Sequence, residues 1–357
     1  MRLLFLHHQQ RFDYRDEPGY NELFRPLTKA KQVTGWDEFV YQTPLRENLI
    51  RELALRGKKA DQNPTYFIMR NLDAESYGSA NVALQPLLEQ AVARARPDLI
   101  IYSITWPTEA IHPIVLGRVR ALFPKVRLFT QQWDYEENVA FFHSVERATI
   151  DVSDCYAVCD SHDRLRRMQA KVPPYAEYTH VERVRWLPTV LDPDLYRPTG
   201  HAKDIDVLIV GSSEGYRREV IEALRQRYGE RFRHLGGHMP WDKFVTAEEY
   251  VDAINRARIV VNTQTARERV QVKGRVREVL SCGGFLLEQD NPESREFLEG
   301  SGVAFFSGIE GLQAAIDTYL AQDTERERLA RAAHDWYRAR YTPDLAMQRI
   351  LEAVGLG

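Results

Sequence analysis

Gln271-Val-Lys-Gly-Arg-Val-Arg-Glu-Val-Leu-Ser-Cys-Gly-Gly-Phe-Leu-Leu-Glu288 reads as a loop, a short helix, a glycine pair and a buried strand. Val276, Val279 and Leu280 recur at helical spacing and predict one buried stripe. Lys273 and Arg275 stand at the helix start, and Glu278 lies one turn further in. A helix start exposes unpaired N–H groups and carries partial positive charge, so it holds phosphate well. A carboxylate one turn along is placed to meet the two hydroxyls of a ribose. Phosphate at the tip and ribose beside it suit a nucleotide-diphosphate sugar. The same charges on Arg275, Arg277 and Glu278 would also serve as plain surface pairing.

Working outward, short apolar runs alternate with helical patterns along the chain, the mark of parallel α/β architecture. The N-terminal part carries strands at Leu3–Leu6, Tyr66–Met69, Asp98–Tyr102, Val126–Thr130, Tyr156–Cys159 and Val184–Leu187. Helices are predicted over 82–95, with Val82, Leu84, Leu87, Leu88 and Val92 as the apolar stripe, and over 109–122 and 161–170. Residues 9–45 read as a long functional loop with short helical pieces. The C-terminal part carries strands at Asp206–Val210, Phe232–Leu235, Ile259–Asn262, Phe285–Leu287 and Val303–Phe306. Helices fall at 216–228, 247–257, 293–299, 309–321, 324–339 and 343–354. Prolines 188, 193 and 198 stiffen the passage between the two parts and keep it out of helix. The boundary is expected near 197–203. Two domains result, 1–198 and 199–340, with the 341–357 helix packing back toward the first.

A chain of 357 residues suits two domains better than one core. Its 44% hydrophobic content predicts packed structure. A net charge of −3 argues against a nucleic-acid partner. Three cysteines are too few for a disulfide framework, which points to a reducing cytoplasm. No window approaches the ~18 apolar residues of a membrane span, although peripheral membrane contact needs none.

Gly211-Ser-Ser-Glu-Gly-Tyr-Arg-Arg218 follows a strand and opens a helix. Gly211 and Ser212 permit close approach of a phosphate, with Arg217 adding charge. Asn262-Thr-Gln264 ends a strand where open α/β sheets bind ligands. His234-Leu-Gly-Gly237 also ends a strand and is placed to flank a base. Thr130-Gln-Gln-Trp-Asp134 follows a strand of the first domain, which aims Asp134 at the site either as a proton acceptor or as a helix cap. His7 and His8 end the first strand. The pairs Asp192/Asp194 and Asp204/Asp206 sit in the connecting region and read as structural rather than as a metal site.

The pattern Arg275-x-x-Glu278-x-x-x-Cys282-Gly-Gly284 resembles the donor segment of GT-B glycosyltransferases. It is most similar to the group related to the spore-maturation protein CgeB, and to family 4-like C-terminal domains. That resemblance implies two Rossmann-like domains with parallel sheets facing across a cleft. The second domain would bind the nucleotide-sugar through Gly211, Ser212, Arg217, Asn262, Lys273, Arg275 and Glu278. The first would bind the acceptor, with Asp134, His7 and His8 as catalytic candidates. It implies metal-independent, retaining transfer to a hydroxyl of a glycan, lipid-linked glycan, protein or small molecule, with no cofactor besides the donor substrate. Glu278 matches the second Glu of the Glu-x7-Glu motif in retaining enzymes. The first position is Val270, so the donor sugar must be recognised differently. A nucleotide-sugar epimerase of the same architecture is the rival, with Glu288 and Asp290 the only further donor-side acids. A non-catalytic nucleotide-binding module is the third reading.

Overall fold

The computed structural model describes residues 1–7, 25–59, 64–104, 110–132, 140–159, 161–236, 245–267 and 270–357. It divides into two compact units. The first holds the N-terminal strand, Leu27–Pro188 and Ala346–Gly357; the second holds Thr189–Leu345 with Arg25 and Pro26. The division thus falls upstream of the 197–203 read from sequence. The reason is local: Asn255 accepts from Thr199 N at 2.9 Å and donates to Arg197 O at 3.1 Å. Ser281 Oγ donates to Tyr196 O at 2.7 Å. The proline-rich passage is therefore pinned to the second unit.

In the first unit, β1 (Arg2–His7), β2 (Gly35–Val40), β3 (Leu99–Ile104), β4 (Arg127–Gln132), β5 (Cys155–Val158) and β6 (Val184–Trp186) form one sheet. Their order is β2-β1-β3-β4-β5-β6 and every pairing is parallel. In β3 every residue is buried, which is why its run shows no alternation.

The second sheet joins β7 (Ile205–Val210), β8 (Phe232–Leu235), β9 (Ala257–Asn262), β10 (Leu286–Gln289) and β11 (Ala304–Phe306), also all parallel. Its order, β11-β10-β9-β7-β8, places β8 on one side of β7 and β9 on the other. The winding therefore reverses between β7 and β9. Open α/β sheets bind ligands in the crevice beyond the carboxyl ends of the strands at such a switch point.

Several expectations change. Tyr66–Met69 lies inside a helix, Pro64–Asn71. A four-residue apolar run fits either period, and Pro64 suits the first helical position. Val82 and Leu87 are exposed on the helix Ala74–Ala95, whose buried row runs through Leu84, Leu88 and Val92 at four-residue spacing. Residues 35–40 form a strand rather than loop, because an edge strand with half-buried side chains shows no apolar run. Two helices have no counterpart in the sequence reading. Gln42–Leu55 buries only a narrow row, Leu45, Leu49 and Leu53. Ala140–Val152 has its apolar pattern broken by buried Glu146, which accepts from Tyr156 at 2.7 Å, from Tyr178 at 2.6 Å and from Arg164.

Candidate functional site

The opening stretch folds as its pattern predicts. A helix covers Gly274–Ser281, with Val276, Val279 and Leu280 fully buried. Gly283 N donates to Leu280 O at 3.1 Å and Gly284 N to Val279 O at 2.9 Å, closing the last turn. Gly283 is left-handed, with φ +67°, and a Cβ on Gly284 would stand 3.0 Å from Val279 Cγ1. The glycine pair therefore lets the chain double back tightly into β10. Cys282 packs beneath, and burial drives its thiol far above its ordinary range, which suits packing rather than chemistry.

This helix starts beside the β7 turn. Gly211 has φ +112°, and a Cβ there would stand 2.6 Å from Arg275 Nη2 and 3.2 Å from Arg217 Nη1. Only glycine lets both guanidinium groups approach the turn. Arg275 Nη1 donates to Asn262 Oδ1 at 3.0 Å, tying the helix start to the end of β9. Lys273 occupies the N-cap position, its Nζ 2.6 Å from Gln271 Oε1. Ser212 Oγ lies 3.3 Å from Glu214 Oε2. Gly211, Asn262, Lys273 and Arg275 thus come together at the switch point, with their polar groups around one helix start.

Arg217 belongs to the same cluster. Its guanidinium donates to Thr263 O at 3.3 and 2.7 Å and to Ser212 O at 3.2 Å. It joins the β7 turn to the β9 turn, so the guanidinium also positions the two turns that frame the site. His234 Nε2 donates to Gly211 O at 2.8 Å, and burial lowers the ring's pKa, favouring the neutral donor form. Gly236 is left-handed with φ +145°, and a Cβ on it would stand 2.2 Å from Gly211 O. The turns after β7 and β8 are packed backbone on backbone. Gly237 lies outside the described residues.

Glu278 is buried one turn into the helix, and Tyr250 donates its hydroxyl to Glu278 Oε2. Tyr250 was not singled out by sequence; the available signal was a tyrosine on the apolar face of the helix Ala247–Arg256, where a buried hydroxyl needs a partner. Glu288, fully buried at the end of β10, accepts from Asn262 Nδ2 at 2.7 Å and Ser294 Oγ at 2.8 Å. Asp290 turns away to Arg295, at 2.7 and 2.9 Å.

On the first unit, His7 ends β1 and is buried, with Nε2 3.2 Å from Glu38 Oε2. The described end of β4 is Gln131 and Gln132, and Gln131 Nε2 donates to Ser103 Oγ at 2.6 Å. His8 and Asp134 lie outside the described residues. Asp192 accepts from Asp194 N at 3.0 Å and pairs with Arg25 at 3.2 Å. Asp204 and Asp206 pair with Arg256 and Arg231, each at 2.6 Å. Asp192, Asp204 and Asp206 are thus each paired with an arginine. Among the described residues no cluster of three His, Cys, Asp or Glu side chains is placed to hold a metal ion. No described helix is long and apolar enough to cross a membrane.

Residues 217–352, which include this whole helix and the strands β8 to β11, match the glycosyl transferase-like family. That match covers most of the second unit, and the two parallel sheets give the chain the GT-B fold. Three solved structures illustrate the likeness. HepE of Anabaena, solved with UDP and glucose, shares 13% identity and a TM-score of 0.57 over 99% of each chain. A glycosyltransferase of Rickettsia africae ESF-5 shares 10% identity and a TM-score of 0.60 over 99% of this chain and 98% of that one. The UDP-GlcNAc 2-epimerase of Neisseria meningitidis, bound to UDP-GlcNAc, shares 12% identity and a TM-score of 0.53 over the full length of both. At these identities the likeness is one of fold. No curated protein matches the chain.

Proposed function

We propose that the chain is a glycosyltransferase that moves a sugar from a nucleotide-diphosphate sugar to a hydroxyl of an acceptor. The observation that carries this is the meeting of Gly211, Arg275, Lys273 and the start of the helix Gly274–Ser281 at the β7/β9 switch point, with Glu278 one turn along. Two cations and the unpaired N–H groups of the helix start match a diphosphate. Glu278, held by Tyr250, matches the ribose hydroxyls. Charge building on the departing diphosphate during transfer would be stabilised by the same groups. Uridine is the base to test first, because HepE and the epimerase were solved with uridine nucleotides.

Titrating the protein with UDP-, GDP- and dTDP-glucose, then following release of the nucleoside diphosphate with glycan and lipid-linked acceptors, tests this reading directly. Failure of all three to bind overturns it. Glu278→Ala is expected to weaken nucleotide binding by roughly 1–3 kcal/mol, the scale of charge-assisted hydrogen bonds. Tyr250→Phe is expected to lose less, roughly 1 kcal/mol, because the carboxylate remains. Unchanged calorimetric affinity in a folded Glu278→Ala protein would remove the ribose assignment.

Transfer is proposed to be metal-independent and retaining, with the donor's charge met by Arg275, Lys273 and the helix start. Turnover is then expected to survive exhaustive chelation. Loss on chelation with recovery on adding magnesium or manganese would contradict it. The three cysteines are buried and form no disulfide, which fits the proposed cytoplasmic setting, with peripheral membrane contact where the acceptor is lipid-linked. The epimerase reading is favoured by the likeness to the Neisseria enzyme and shares the same donor site. The products separate them: a glycosylated acceptor in one case, an epimerised nucleotide-sugar in the other.

A further inference from the structure

The donor-side turns rest on a buried carboxylate that neither phosphate nor ribose recognition uses. Glu288 on β10 and Asn262 on β9 are register partners in the sheet, and both are fully buried. Asn262 donates to Glu288 Oε2 at 2.7 Å and accepts from Arg275 at 3.0 Å. Ser294 donates to Glu288 Oε1 at 2.8 Å and accepts from Asn291 Nδ2 at 2.9 Å. A carboxylate only accepts and a guanidinium only donates, so the Asn262 amide has one workable orientation. Two donor chains, Arg275–Asn262 and Asn291–Ser294, therefore converge on Glu288. A neutral glutamine would bridge Asn262 and Ser294 without a desolvated charge, so holding an acid here is expensive for a purely structural part. Burial pushes Glu288 up to about 7, against the opposing pull of Asn262, Ser294 and Arg275.

We propose that Glu288 is a proton-linked positioning residue, which holds Arg275 through Asn262 and takes up a proton from solvent when a diphosphate binds against Arg275. The inference rests on the reading of this site as the donor site. Its sign follows from charge. In the unliganded protein the Glu288 carboxylate is favoured by Arg275. A diphosphate arriving at Arg275 cancels that attraction and adds negative charge, so the protonated form gains. Linkage makes the effect reciprocal: the protonated protein binds the diphosphate more tightly. A proton on Oε1 reverses that bond: the Ser294 hydroxyl turns its own hydrogen away and accepts from Oε1 with its second lone pair. Oε2 continues to accept from Asn262, and Arg275 keeps its place.

The other charged groups at the site are Lys273 and Glu278, on the same loop and helix as Arg275; Arg217, bonded to Thr263 O and Ser212 O; and Glu293, buried next to Ser294 on the following helix. Ser294 and Asn291, which face Glu288 from the next helix, are neutral, and Asp290 and Arg295 beside them pair with each other. His234, against Gly211 O, is the competing proton acceptor and needs its own control.

The test is calorimetry of UDP-, GDP- and dTDP-glucose, whose diphosphate diesters do not titrate near neutrality, in buffers of different ionisation enthalpy. Wild type is expected to take up as much as about half a proton on binding near pH 7, rising toward pH 8, and to bind about tenfold more tightly at pH 6 than at pH 8. Glu288→Gln is expected to lose the uptake and to bind with flat affinity across that range, while His234→Gln keeps the uptake. Ser294→Ala, a gentler change, removes a bond that favours the ionised form and is expected to move the fall in affinity to higher pH. Should Glu288→Gln not fold, Ser294→Ala decides. Binding with an uptake unchanged in Glu288→Gln, or a pH profile unmoved in Ser294→Ala, overturns this inference alone. If no nucleotide-sugar binds wild type at any pH, the donor reading fails and takes this inference with it.

Discussion

Arg275→Met is expected to weaken nucleotide-sugar binding by roughly 2–4 kcal/mol, from the loss of one or two charge-assisted hydrogen bonds to the diphosphate. Methionine keeps much of the stem's volume and removes the charge and all five donors. Its effect should divide between ground and transition states. Charge on the departing diphosphate grows as the glycosidic bond breaks, so kcat should fall as well as KM rise. Arg275→Lys should recover only part of the loss. The planar fork at this position reaches Asn262 Oδ1 with one nitrogen and lies against Gly211 with another, and a single ammonium cannot do both. Titration of both variants with the donor, beside circular dichroism to establish folding, checks the expectation. An Arg275→Met protein that is folded and binds within about threefold of wild type would show that the diphosphate lies elsewhere.

The neighbours of Arg217 show where local pattern stops being informative. Both arginines stand at helix starts after glycine-containing turns, and by charge and position both read as phosphate ligands. Only the spatial neighbours separate them: Arg217 meets the carbonyls of Ser212 and Thr263, and Arg275 meets an amide side chain at a strand end. The helix Gly274–Ser281 was legible because its stripe, its glycine pair and the apolar run after it all lie within one short stretch. The strands β3, β7 and β9 were legible because burial on both faces leaves runs free of alternation. The edge strand β2 carries Asp37 and Glu38 among half-buried residues and offers no such run.

The deeper parts of the site were not legible for a related reason. Tyr250 and Glu278 are 28 residues apart, and Asn262 and Glu288 are 26 apart. Each pairing depends on the order of strands in the sheet, which no periodicity encodes. The hints were single residues: a tyrosine on a buried helix face, and an acid closing the apolar run Phe285-Leu-Leu-Glu288.

Asp134→Asn is expected to cost transfer about 10²-fold or more if the carboxylate takes the acceptor's proton, while leaving donor affinity nearly unchanged. Asp134 lies outside the described residues, and the expectation comes from its place in the chain. It follows β4, whose end is marked by buried Gln131 and Gln132 on the carboxyl edge of the first sheet. His7 ends β1 on that same edge. Asparagine preserves size and the ability to cap a helix, so the substitution separates chemistry from structure. The comparison with Arg275→Met is the decisive one. Arg275→Met should lower donor affinity and rate together, whereas Asp134→Asn should lower rate alone. A small loss of rate with intact folding would leave Asp134 as a helix cap. A large loss of donor affinity would move it from the acceptor's side of the reaction to the donor's.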